Sequence, residues 1–192
     1  MTAPNWTLDQ SLNQLLRGSP NLSGVGSVWA GSTITYAFAD YYYQLATLLG
    51  EDSTFSPLGS AARTQARLTM ELWDDLIPQA ITEVAPSTRP NFWSQDYALA
   101  FGHTLSPNYA YTFLPRTGGS SVWFNPTYNS ASGTNDVVTP RIGAHGFVTY
   151  IHEIGHALAL HHMGDYNGAD NDGPSSIQDS SVFTVMSYYG PS

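Results

Sequence analysis

The sequence predicts an α+β domain on three observations: a long helical periodicity from about residue 56, a second over residues 147–160, and short β-like runs between them, separated by Pro, Asn and Gly. A length of 192 residues suits one domain with a sizeable core. Its expected parts are an N-terminal helix and linker over residues 1–26, the sheet and second long helix over 27–162, and C-terminal loops over 163–192.

In residues 7–17, Leu8, Leu12, Leu15 and Leu16 recur at helical spacing, Thr7 and Gln10 form a capping-box start, and Gly18 and Pro20 mark the stop. A short amphipathic helix is expected there. Ile34, Tyr36 and Phe38 alternate with their neighbours over residues 33–38, the pattern of a half-buried strand. Residues 41–49 are ambiguous. Ser56 suits an N-cap and Pro57 the first helical position, and Leu58, Ala62, Ala66, Thr69, Trp73 and Leu76 recur every three or four residues. This predicts a helix over 56–77. Strand-like runs follow at 80–84, 97–101, 109–114 and 121–125. In residues 147–160, Phe147, Ile151, Ile154 and Leu158 share one face, leaving His152, Glu153, His156 and Ala159 towards another. The stretch 163–192 is rich in Gly, Asp, Asn and Ser and reads as loop except over 182–188.

Composition narrows the function. Six basic residues, all arginine, stand against fifteen acidic ones, a net charge of −9, so no basic face is available for nucleic acid or an anionic membrane. With no cysteine there is no disulfide, thiolate metal site or catalytic thiol. The segment Met1-Thr2-Ala3-Pro4-Asn5-Trp6 has neither the basic nor the apolar region of a cleavable signal peptide. No apolar run reaches the roughly 18 residues of a membrane span.

His152-Glu153-Ile154-Gly155-His156 is a His-Glu-x-x-His run on a predicted helix, and its i, i+4 spacing stacks both imidazoles on one face as two ligands for one metal. With six histidines and four glutamates in 192 residues, chance would produce this pattern somewhere in only about 0.4% of such chains. Two histidines and a glutamate merely decorating a buried helix would be costly without a partner. Zinc, held by three protein ligands with one position open, fits better. No glutamate follows Glu153, so the third ligand is to come from His161, His162, Asp165, Asp170, Asp172 or Asp179. On a continuing helix His162 would lie about 280° round from His152, so a turn after His156 must swing it back.

The pattern His152-Glu153-x-x-His156-x-x-Ala159-x-x-His162 resembles the extended zinc signature of the metzincin endopeptidases, and Thr184-Val185-Met186-Ser187-Tyr188-Tyr189 resembles their Met-turn. Met163-Gly164-Asp165-Tyr166-Asn167, Ala110-Tyr111-Thr112-Phe113-Leu114-Pro115 and Trp123-Phe124-Asn125 are similar in particular to the serralysins, the secreted bacterial branch. The likeness is dense over residues 95–190 and looser over 27–84. It covers the catalytic domain and not the glycine-rich calcium-binding repeats that follow in that family.

The resemblance implies a twisted, mixed five-stranded sheet with one antiparallel edge strand, placed near 109–114, packed on two long helices. It implies His152, His156 and His162 as ligands of one zinc ion, Glu153 as catalytic base, Met186 as a floor beneath the metal, and Tyr188 as an extra phenolic ligand that supports the transition state. It further implies a secreted endopeptidase acting as a monomer on extended protein or peptide substrates. The family has Gly where this chain has Ala159, at a sharp turn that costs alanine roughly 1 kcal/mol. Two other readings are open: a zinc hydrolase completed by an aspartate, and a zinc-binding inactive homologue serving as a binding module. Asp170-Asn171-Asp172-Gly173 has calcium-type residues but not a complete calcium loop, and reads as a solvated turn. His103 and His145 read as structural.

Overall fold

The computed structural model describes residues 3–16, 29, 31–41, 54–86, 98–105, 109–116, 119–127, 136–166 and 173–190. The ambiguous stretch 42–49 and the Asp170 to Asp172 cluster lie outside them. Five strands, β1 (Thr33–Phe38), β2 (Ala80–Glu83), β3 (Leu99–His103), β4 (Ala110–Arg116) and β5 (Gly119–Phe124), form one mixed sheet in the order β2-β1-β3-β5-β4. β1 runs parallel to β2 and β3, β3 runs parallel to β5, and β4 returns antiparallel to β5 as the sheet's edge. The expected α+β class and antiparallel edge strand are both present.

Three helices occur among the described residues: α1 (Leu8–Leu15), α2 (Ser60–Asp74) and α3 (His145–Ala157). At α1, Thr7 and Gln10 close the capping box reciprocally, as the sequence predicts. α2 departs from prediction, starting at Ser60 with Gly59 as N-cap, while Ser56 forms an antiparallel bridge with His103. A residue preceding proline favours extended backbone, so Pro57 holds Ser56 in a conformation that can pair in both directions with His103. α3 starts two residues earlier than expected. Its N-cap Ala144 offers no side chain, and Asp136 Oδ2 accepts from Gly146 N–H at 3.0 Å instead. Residues 182–188 form turns, not a regular element.

Alternation along the strands divides the core. Ile34, Tyr36, Phe38, Leu99, Phe101, Val122 and Phe124 face α2 and α3, meeting Ala62, Ala66, Met70, Tyr150 and Ile154. Ala37, Ala100 and Trp123 face the other way with Phe55, Tyr111 and Phe113. Phe124 stacks on Tyr150 at 4.0 Å between ring centroids, and Trp73 Nε1 donates to the Ile151 carbonyl at 3.2 Å, fixing α3 against both the sheet and α2. Edge strand β4 runs beside α3, and the chemistry collects along that seam.

Candidate metal centre

His152 and His156 project from one face of α3, and the chain then reverses within three residues. Leu160 N–H reaches back to the Gly155 carbonyl at 2.9 Å and Ala159 N–H to that of His156 at 2.9 Å, the paired bonds of a Schellman stop. Its left-handed position is Ala159, with φ of 80°. That reversal carries His162 back to the other two rings. Because an L-residue with a Cβ is strained there, Ala159→Gly is expected to raise unfolding free energy by about 1 kcal/mol. Urea unfolding of the metal-free proteins checks this, and equal midpoints would refute it.

The Nε2 atoms of His152, His156 and His162 lie 3.2, 3.0 and 3.0 Å apart. Each Nδ1 faces a carbonyl oxygen: Val185 for His152 at 2.7 Å, Leu160 for His156 at 2.6 Å and Tyr166 for His162 at 2.8 Å. A carbonyl only accepts, so each Nδ1 carries the proton and each Nε2 presents a lone pair. Three lone pairs facing one another cannot be hydrogen bonds; they repel unless a cation lies among them. Three nitrogens about 2.05 Å from one tetrahedral centre are about 3.3 Å apart, close to the spacings here, so the donor set fits zinc in number, type and shape. Burial, reinforced by the facing rings of His152 and His162, pushes the His156 imidazole far below the ordinary histidine range. Burial acts the same way on His152, so neutral, metal-binding imidazoles are favoured.

Met186 is buried beneath α3. A Cβ at Gly155 would meet the Met186 sulfur at 2.7 Å, so glycine lets the methionine approach the helix between the two histidines. Tyr188 is half-exposed, its ring 5.6 Å from that of His152 and 4.5 Å from that of His162. Glu153 is 7% exposed and points towards β4, where Thr112 Oγ1 donates to its Oε2 at 2.8 Å. Burial raises the Glu153 carboxyl to about 7, and the Thr112 hydrogen bond opposes that rise.

The aspartates considered as third ligands stand apart from the imidazole cluster where they are described. Asp165 is exposed and accepts from Gln14 Nε2 at 3.2 Å. Asp179 is fully buried, receives Tyr166 O–H at 2.7 Å, Ser187 O–H at 2.7 Å and Ser175 N–H at 2.9 Å, and thereby joins the His162 loop to the Met186 turn. Asp170 and Asp172 are outside the described residues. His161 turns its backbone away to α1, its N–H donating to the Leu15 carbonyl at 2.7 Å. His145 pairs with the Tyr109 hydroxyl at 2.9 Å and His103 is buried in β3; neither joins the cluster.

Sequence reasoning missed Thr112 and the joining role of Asp179, since neither stands at a fixed offset from the His-Glu-x-x-His run. It also missed a brace: Pro4 O accepts from Ile177 N–H at 2.9 Å and Trp6 N–H donates to Gln178 Oε1 at 2.8 Å, so residues 4–15 lie across the loops that carry the site.

No protein-family model matches the chain. It is 30% identical to Serralysin G of Dickeya chrysanthemi over 97% of its own length and 39% of that protein, and 31% identical to Metalloprotease AprA of Pseudomonas entomophila over 98% and 38%. Serralysin of Proteus mirabilis is 29% identical over 97% of the chain and 40% of the relative. The chain thus spans about two-fifths of the length of the curated relatives it matches. The likeness carried by its motifs extends through nearly all of its residues, and over that length the chain is similar to the serralysins.

Proposed function

We propose that this chain is a metzincin-type, zinc-dependent endopeptidase domain that hydrolyses peptide bonds of extended protein substrates, with Glu153 as general base. The observation that carries the reading is the convergence of three carbonyl-anchored imidazoles beside a buried carboxylate on the seam with an edge strand. His152, His156 and His162 would hold the metal, with Met186 as the apolar floor. A bound zinc supplies Lewis acidity that polarises a peptide carbonyl and acidifies water. Glu153 takes the proton of the attacking water and returns it to the departing amine, a role its burial suits by raising its basicity towards neutrality. Tyr188, ringside to His152 and His162, supports the oxygen that gains charge. β4, paired on one side only with β5, offers main-chain groups to an extended peptide, which gives broad sequence tolerance. Residues 1–192 are read as a single catalytic domain, monomeric and secreted; among the described residues no helix is long and apolar enough to cross a membrane.

The test is hydrolysis of unfolded, fluorophore-labelled casein by the zinc-loaded protein. Cleavage that stops on chelation and returns with one equivalent of zinc supports the reading. Stoichiometric zinc without cleavage would replace it with a zinc-stabilised binding module.

A further inference from the structure

Thr112 lies on β4, and its hydroxyl stands 2.8 Å from Glu153 Oε2 and 3.0 Å from the Glu153 carbonyl oxygen. It has one proton to give. The Glu153 carbonyl is inside α3, where helix geometry already supplies an N–H from four residues on. The carboxylate has no such donor, and a charge-assisted bond is roughly twice as strong as a neutral one, so the hydroxyl proton goes to Oε2. Glu153 Oε1 has no hydrogen-bond partner among the described residues. One oxygen is tied and the other is free.

The tie also has a definite origin. β4 and the residue just before it meet α3 through hydroxyls at two levels: Thr112 on Glu153, and the Tyr109 hydroxyl, 3.2 Å from Thr149 Oγ1, which also lies 3.1 Å from the His145 carbonyl oxygen. Thr149 and Glu153 are four residues apart, on one face of the helix. The strand that would pair with an extended peptide is therefore the strand that holds the carboxylate's side-chain torsions. A glutamate has three of these to restrain, and a tether at one oxygen removes most of that freedom. A general base works only within hydrogen-bond reach of its proton, so an untethered carboxylate spends time out of range.

We infer that Thr112 is a positioning residue for this reaction: its hydroxyl anchors Glu153 Oε2 to the edge strand, leaving Oε1 as the oxygen that moves the proton. The inference rests on the endopeptidase reading above. Thr112 touches neither the imidazoles nor the reacting atoms.

The test compares Thr112→Val, which keeps shape and removes the hydroxyl, with Thr112→Ser, which keeps the hydroxyl. Thr112→Val is expected to lower kcat on unfolded casein about tenfold while KM and zinc affinity, read by chelator competition, stay within twofold. Thr112→Ser is expected to recover kcat to within about threefold of wild type. A second readout is independent of activity: the carbon-13 line of the Glu153 carboxyl in the zinc-loaded protein is expected to be single in wild type and Thr112→Ser, and shifted or split in Thr112→Val. A valine variant with unchanged kcat, a loss seen in KM alone, or a serine variant no better than valine would overturn the inference. If wild type itself cleaves nothing, the endopeptidase reading fails, and the carboxyl line decides the anchoring: a line unmoved in Thr112→Val overturns it.

Discussion

Glu153→Gln is expected to reduce casein hydrolysis by three orders of magnitude or more while leaving one zinc bound per chain. Glutamine matches glutamate in shape and can still accept from the Thr112 hydroxyl at 2.8 Å, so the packing on β4 survives. It lacks the ability to take a proton, and a general base contributes roughly 10²–10⁴-fold, the upper end applying where nothing nearby can substitute. Asp136 and Asp179 cannot take over, being committed to the α3 cap and to the Tyr166 and Ser187 hydroxyls. Hydrolysis within tenfold of wild type would remove Glu153 from the role of base.

The same substitution carries a stability signature of opposite sign. In the metal-free protein, burial raises the Glu153 carboxyl from 4.5 to about 7. Between those values the unfolded chain has released the proton and the folded one retains it, so stability falls as pH rises through this window and levels off above it. Glu153→Gln is therefore expected to gain up to about 3 kcal/mol over wild type at pH 8 and little at pH 4. Urea unfolding of both metal-free proteins across that range measures it, and parallel pH profiles would contradict it.

The second large effect is expected at Asp179. Asp179 has no solvent exposure, and its two oxygens hold the Tyr166 hydroxyl, the Ser187 hydroxyl and the Ser175 N–H. Asp179→Ala strands one buried donor and two part-buried ones and is expected to cost about 3 kcal/mol of unfolding free energy. Asp179→Asn can keep an oxygen on Tyr166 and Ser187 but sets its amide against the Ser175 N–H, and is expected to cost about half as much. Tyr166 is stacked on the His162 ring and its carbonyl fixes the His162 tautomer, so the alanine variant is also expected to weaken zinc binding at least tenfold. Urea unfolding with chelator competition reads both quantities. An alanine variant that unfolds and binds zinc like wild type would show that Asp179 joins nothing of consequence.

What could be read from the sequence follows the range of the forces involved. The capping box at Thr7, the strand alternation over 33–38 and the helical spacing of the His-Glu-x-x-His run are local patterns, and the structure has the corresponding elements. The three imidazoles that converge are those the family resemblance implies; spacing alone leaves the third ligand open among six residues, and the turn that brings His162 back is made at Ala159. The start of α2 was misplaced because the Ser56 pairing partner, His103, is far away in sequence. The start of α3 was misplaced for the same reason, its cap coming from Asp136. Thr112 and Asp179 are not legible in the sequence because their contacts exist only once β4, α3 and the Met186 turn have been brought together.

The brace formed by residues 4–15 gives the site an order of assembly. Gln14 meets Asp165 across 151 residues of sequence, and Trp6 meets Gln178 across 172. Contacts this distant are expected to form after the sheet and its helices have reduced the entropy of closing so long a loop. The loop bearing His162 is therefore expected to acquire its final shape late in folding and to open without melting of the core. Amide exchange should accordingly divide the molecule in two, with the His161 N–H exchanging sooner than those of Leu99 and Phe101 in the sheet. Zinc, by joining that late-formed loop to the earlier-formed α3, would draw the two populations together.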